Sequence, residues 1–352
     1  MANNKKQYRK NPGLNLIELE ATTSSCSACG TENAIDWLGD MKYPHEAVVP
    51  NHGDGRWIPV SVPVKCSNCM LDYHHNIPII DRDGTWGLYG DEAGRIVEFN
   101  GKRIHFFCLT LIGLHRSKHE LIKSKLNKFK LDARPDLAPE TWTHHFTEIW
   151  SDSGPERRFA FPGVAEKINY GQRFAKMIKD LSPELVCFNF SSAIVLGDAR
   201  KDNASAIKTQ KEDLFKQALL ATLDTMRINK KGVIWHFDNI KDSTSGERTE
   251  GWALECFLGL QYTRLFTYLA AGIYIPEPKF MIPGSHYLLE VADFISFCIA
   301  RDFLKISQGK AGEIPSARLG KIYCYRIMED GQPDYAFEMG SFFLKRYFPV
   351  FK

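Results

Sequence analysis

Hydrophobic residues follow no sustained period between Gly13 and Asp83, where Pro44, Pro50, Pro59, Pro63 and Pro78 interrupt the chain. From Gly84 the pattern changes. TWGLYGDE and KRIHFFCLTLIGL read as two successive strands, the second long and apolar. SKHELIKSKLNKFK predicts a helix with Leu121, Ile122, Leu126 and Phe129 on one side. A Pro-containing connection and THHFTEIW follow, and AEKINYGQRFAKMIKDL predicts a second helix, ended by Ser182-Pro183. ELVCFNFSSAIV reads as a strand, KEDLFKQALLATLDTM as a helix and GVIWHFDNI as a strand. RTEGWALECFLGLQYTRLFTYLAAG predicts one long helix stopped at Gly272. GIYI and KFMI flank a proline-containing bend, and SHYLLEVADFISFCIARDFLK predicts a last long helix.

Two strands, a helix, then strands and helices in alternation predict an α/β domain with a mixed sheet flanked by helices. The chain divides into a flexible basic arm (1–20), a small N-terminal module (21–83) and this α/β domain (84–352). The 352 residues are 44% hydrophobic and 25% charged, an ordinary globular composition. No apolar run approaches the roughly 18 residues of a membrane span. MANNKKQYRKNPG lacks the apolar core of a secretory signal, so a cytoplasmic, non-membrane protein is expected. A formal net charge of +3 neither announces nor excludes a nucleic-acid partner.

Nine cysteines without a secretory signal argue against a disulfide framework. Cys108, Cys187, Cys256, Cys298 and Cys324 stand singly in apolar segments and read as small core residues. Cys26-Ser-Ala-Cys29 and Cys66-Ser-Asn-Cys69 are different. Two C-x-x-C knuckles offer four thiolates, the ligand set of a tetrahedral, closed and therefore structural Zn²⁺ site. The module is thus zinc-ribbon-like. The alternatives are two unrelated thiol pairs, a redox C-x-x-C, or one ligand replaced by His45, His52, His74 or His75.

Three aspartates sit where charge is out of place. Asp91, in LYGDEAG, ends the first strand of the domain in this reading. Glu92 alternates to the other face, and Gly94 lets the chain turn. Asp238 ends VIWHFD, sharing a face with Ile234 and His236. Asp293 lies within an apolar helix, flanked at helical spacing by Leu289, Ser296, Phe297 and Ala300. A buried carboxylate must be paired, protonated or metal-bound. Taken singly, each has a structural explanation: a turn former, or a helix residue with a buried partner. Taken together, two strand ends and a helix laid across the sheet can converge three hard oxygen ligands on Mg²⁺ or Mn²⁺.

These residues resemble a family, the one known as domain of unknown function 3800, which is similar in fold to RNase H-like nucleases and integrases. LYGDEAG is similar to its opening D-E-S-G strand, with Ala93 in place of serine. Phe237-Asp238 matches its internal strand end. Ser285 and Leu289-Glu-Val-Ala-Asp293 match its closing S…L-Q-x-A-D helix, with Glu290 where glutamine is common. The resemblance runs from about Gly84 to Leu304 and leaves out the knuckles. It implies an RNase H-like domain with Asp91, Asp238 and Asp293 as metal ligands. The family's E-x-H becomes Thr143-His144-His145 here, so His145 keeps its place and the acid is missing. Glu148, one turn on, is the candidate replacement. His144 and His145 read equally well as surface or capping residues.

The expectation is a metal-dependent nuclease or phosphoryl-transfer enzyme acting on DNA or RNA. The rival is a non-catalytic module on the same fold that binds nucleic acid or protein. A homo-oligomer is compatible with both. Arg116, Lys118, Lys123, Lys125, Lys128 and Lys130 crowd the first helix and could contact phosphates, or form a solvated face.

Overall fold

The computed structural model of the chain describes residues 22–36, 61–76, 86–153, 156–198, 200–228, 231–239, 249–261, 263–271, 275–320, 322–327 and 333–336. The basic arm, His45, His52 and Gly272 lie outside these residues. Two compact units divide the chain. One comprises Met1–Trp86, Ala218–Trp235 and Ala253–Pro278; the other comprises Gly87–Gln217, His236–Trp252 and Lys279–Lys352. Among the described residues no helix is long and apolar enough to cross a membrane.

In the first unit, β1 (Thr23–Ser25) pairs antiparallel with β2 (Glu32–Ala34), and β3 (Ser61–Lys65) with β4 (Asp72–Asn76). Each pair carries one C-x-x-C turn between its strands.

The longest hairpin is β5 (Trp86–Phe99) with β6 (Lys102–Leu114), registered from Leu88↔Gly113 to Phe99↔Lys102. Its two-residue turn is Asn100-Gly101, with φ of 50° and 72°. Left-handed φ at both positions defines the primed turn that suits the strand twist. This corrects the expectation at LYGDEAG. Asp91 does not end a strand, and Gly94 does not turn the chain. Both lie inside β5, opposite Thr110 and Phe107. Pairing along the whole strand overrides the poor strand propensity of Asp and Glu. Gly90 is required for another reason. A Cβ there would meet Leu111 at 2.7 Å and Phe237 at 2.8 Å, so glycine lets both side chains close over the strand.

The sheet is mixed and has seven strands, ordered β11-β10-β7-β6-β5-β8-β9. β7 (Leu185–Leu196) is antiparallel to β6, and β9 (Lys279–Met281) is parallel to β8 (Val233–Asp238). β10 (Tyr323–Ile327) and β11 (Pro333–Ala336), which the apolar pattern did not reveal, extend the β7 edge.

Helices α1 (His119–Ala133), α2 (Phe146–Ser151), α3 (Val164–Leu181) and α7 (Tyr287–Ser307) share one core with Tyr89, Phe106, Cys108 and Ile112 of the sheet. In α1 the buried stripe is Ile122, Leu126, Lys130 and Ala133; Leu121 is 44% exposed, contrary to the sequence reading. Helix α4 (Arg200–Ile228) begins at Arg200 rather than Lys211. Its Gln210 meets His105 and its Phe215 meets Phe237, residues on the opposite sheet face from Asp91. The single long helix expected after β8 is two, α5 (Thr249–Gln261) and α6 (Arg264–Ala270). Thr263 separates them. Its Oγ1 accepts the Phe266 N–H at 3.3 Å, an N-cap that starts a new helix. Cys108, Cys187, Cys256 and Cys298 are buried, as expected of core thiols; the Cys324 side chain lies outside the described set.

Candidate metal centres

The first centre is the cysteine quartet. The two turns have the same local form. Gly30 N–H donates to Cys26 O and Cys26 N–H to Thr31 O; Met70 N–H donates to Cys66 O and Cys66 N–H to Leu71 O. The fourth position past each first cysteine is left-handed, Gly30 at φ 71° and Met70 at φ 63°. Asn33 ties the two turns together. Its Oδ1 accepts from Ser67 N at 2.8 Å and Oγ at 3.0 Å, while its Nδ2 donates to Thr31 O at 2.8 Å. Tyr73 adds a bond from its hydroxyl to Ser24 O at 2.8 Å.

Cys26, Cys29, Cys66 and Cys69 thereby bring their sulfurs within 4.8 Å of one another. Sγ–Sγ distances are 3.6 Å for Cys26–Cys69 and 3.5 Å for Cys29–Cys66. A tetrahedron with Zn–S bonds near 2.3 Å has edges of about 3.8 Å. Four soft donors at this spacing can bind a metal such as zinc. His75 is engaged elsewhere, its Nδ1 3.1 Å from Ser24 Oγ, and neither it nor His74 joins the quartet.

The second centre lies in the other unit. Tyr89 and Asp91 share one face of β5, and His236 and Asp238 one face of β8, by strand alternation. Helix α7 covers Asp91. Ser296 Oγ is hydrogen-bonded to Asp91 O at 2.9 Å and to Thr110 Oγ1 at 2.8 Å, and Thr110 Oγ1 accepts from Asn189 Nδ2 at 3.0 Å. One turn earlier on α7, Asp293 Oδ2 accepts the Phe146 N–H at 2.8 Å and Oδ1 lies 3.3 Å from His145 Nδ1. Leu289, Ser296, Phe297 and Ala300 around it are buried.

Asp91, Asp238, Asp293 and His145 act on one another electrostatically. Asp91 is 3% exposed. Burial, then the charges of Asp293 and Asp238, push its carboxyl well above the usual range; the Glu92 N–H at 2.8 Å is only a partial offset. Burial raises Asp238 to about 6, with His145 opposing and Asp293 adding to the rise. His145 is raised to about 9, first by its hydrogen bond to Asp293 and further by Asp91 and Asp238. Three carboxyl groups thus act on one imidazole, with burial and mutual repulsion raising Asp91 and Asp238 and the hydrogen bond to Asp293 raising His145. Asp238 Oδ1 is buried with no hydrogen-bond partner among the described residues.

Among the described residues, the quartet is the only group of three or more His, Cys, Asp or Glu side chains with ligand atoms all within 4.8 Å of each other. A pair of ions about 3.5–4 Å apart accommodates a wider carboxylate spacing than a single ion does.

Glu148 has a different partner. It is exposed on α2 and binds Arg158 at 3.1 Å. Thr143 packs against Gly284, where a Cβ would come within 1.9 Å of Thr143 Oγ1. His144 is fully buried, not a surface residue, with Nε2 2.7 Å from Tyr170 OH. Of the basic residues, Lys123 and Lys128 are exposed, Lys118 pairs with Glu184 at 3.0 Å, and the Arg116 side chain lies outside the described set. Lys130 is no surface residue at all. It is buried against Glu290.

The Phe146 N–H, Ser296 and the Lys130–Glu290 pair belong to this site and were not singled out as functional from sequence. Ser296 and Glu290 carry a signal, each three residues from Asp293 on the same helix; the Phe146 N–H carries none. No family model, curated protein or solved structure matches the chain.

Proposed function

We propose that the chain is an RNase H-like, divalent-metal-dependent phosphodiester hydrolase acting on nucleic acid, related to the family known as domain of unknown function 3800. The carrying observation is the acid cluster: Asp91 and Asp238 on β5 and β8, Asp293 on α7, and a buried Asp238 Oδ1 with no partner among the described residues. Such a cluster needs protons or cations. The strand order supports the fold assignment. β5 and β6 form a hairpin, β7 pairs antiparallel with β6 after the three helices, and β8 and β9 lie on the other side of β5, which is the 3-2-1-4-5 order of an RNase H-like sheet.

In this reading Asp91, Asp238 and Asp293 hold Mg²⁺ or Mn²⁺, which when bound supply an activated water and stabilise the leaving oxygen. His145 balances the carboxylate charge and holds a proton beside the site for the leaving oxygen. Water adds to phosphorus, the P–O ester bond breaks, and the products are a phosphate monoester and an alcohol. The cysteine quartet holds a structural zinc. Lys123 and Lys128 are candidates for phosphate contact.

One observation favours the rival, a non-catalytic binding module. Thr143 stands where the family carries an acid, and Glu148 is paired with Arg158. A single experiment separates the two readings. Purified wild type and Asp238→Asn are incubated with single- and double-stranded DNA and RNA, in EDTA and in Mn²⁺ or Mg²⁺. Cleavage by wild type only, and only with metal, is the expected result. Equal inactivity of both proteins, with equal binding of one nucleic acid, assigns the chain to the binding class.

A further inference from the structure

Glu290 and Asp293 lie three residues apart on one side of α7. Both reach the same short stretch of chain. Asp293 receives the Phe146 N–H and His145 Nδ1. Burial raises the Glu290 carboxyl, and Lys130 and the nearby backbone of His144 oppose that rise. Its carboxylate takes Lys130 Nζ from α1, at 2.8 and 3.2 Å. Lys130 in turn lies 5.2 Å from the centre of the Trp142 ring. The segment 142–146 is therefore met at both ends, from two helices.

The Lys130 and Glu290 side chains are only 6% and 2% exposed. A buried ion pair is a weak source of stability, since desolvation cancels much of its attraction. Two apolar residues would fill the same space at no loss. The geometry gives the pair another role: Lys130 joins Glu290, one turn from Asp293 on α7, to Trp142 at the start of the segment that meets Asp293.

We infer that Lys130 and Glu290 are positioning residues for the acid site, holding segment 142–146 so that His145 and the Phe146 N–H meet Asp293 in the orientation that metal binding needs. The inference rests on the proposed metal-dependent reading. It differs from a packing role in what the pair controls.

Two double variants test it. K130M/E290M removes the charges and the acceptor. K130M/E290Q removes the charges and keeps an oxygen beside the His144 backbone. Hydrogen–deuterium exchange across 142–147, Mn²⁺ affinity by calorimetry and the melting temperature are read for each. K130M/E290M should exchange faster across 142–147 and bind Mn²⁺ about 10-fold or more weakly, as when groups behind metal ligands are lost. K130M/E290Q should recover most of both. Wild-type exchange and wild-type Mn²⁺ affinity in K130M/E290M overturn the inference. So does failure of either double variant to fold, which assigns the pair to folding. If wild type itself binds no Mn²⁺, the functional reading fails, and the exchange result alone decides the positioning role.

Discussion

The backbone N–H of Phe146 donates to Asp293 Oδ2 at 2.8 Å. Phe146 is the first residue of α2, whose leading N–H groups have no partner within the helix. The acid that the metal reading needs thus also caps α2. Asp293→Ala should cost about 1–3 kcal/mol, the usual penalty for orphaning a buried donor. Asp293→Asn keeps an acceptor and should cost less, while losing Mn²⁺ affinity as completely. Urea denaturation and calorimetry on both variants check the split.

The raised His145 should give the metal-free protein a distinct pH dependence. Its folded value, about 9, lies above the ordinary 6.5. The stability it contributes is fully present below about pH 6.5 and is lost as pH rises to about 9. His145→Gln keeps a hydrogen bond to Asp293 and removes the charge. The melting temperature of wild type should exceed that of His145→Gln at pH 6, and the gap should close by about pH 9.

Asp238 has the same sign of pH dependence in a lower pH window. Burial lifts its carboxyl to about 6, so the folded state holds that proton more tightly than the unfolded chain does. Stability from this group falls as pH rises from about 4 to 6 and stays lost above. Metal-free Asp238→Asn should melt higher than metal-free wild type at pH 8 and close to it near pH 4. Added Mn²⁺ should raise the melting temperature of wild type and leave Asp238→Asn little changed.

The cysteine quartet predicts one equivalent of zinc per chain after dialysis, measured by elemental analysis. Cys66→Ser should lose it. Asn33→Ala leaves all four sulfurs in place but removes the bridge to Ser67. It should speed zinc release to a chromophoric chelator. A release rate equal to wild type would show that the bridge plays no part in holding the site.

Ser296→Ala removes the bonds from α7 to Asp91 O and Thr110 Oγ1. The expected loss is about 1–3 kcal/mol, since buried partners are left unsatisfied. Chemical denaturation measures it.

Most of the strand and helix order from β5 to α7 can be read from apolar periodicity and the cysteine knuckles from spacing, while β10, β11 and the break at Thr263 cannot. LYGDEAG reads as a strand end because Asp and Glu disfavour strands, yet β5 pairs with β6 from Leu88 to Phe99 and runs on to Asn100-Gly101, itself a recognisable hairpin dipeptide. Lys130 was assigned to a basic surface because its partner Glu290 is 160 residues away. No local pattern shows that a lysine on a mixed-polarity helix will face a glutamate on an apolar one. The same holds for Asp293. Its burial follows from its neighbours, but its donor, Phe146 N–H, is a main-chain group that no side-chain motif encodes.

Asp91 sits in the middle of a fourteen-residue strand, with hydrogen-bonded strands on either side. A residue placed there cannot shift with a loop or fray with an end. Its amide should belong to the slowest-exchanging class of the whole protein, opening only when the sheet itself comes apart. The position of the first acid is then as durable as the fold. Whatever adjustment the site makes on meeting a ligand must come from the helix side, at Asp293 and the segment it receives.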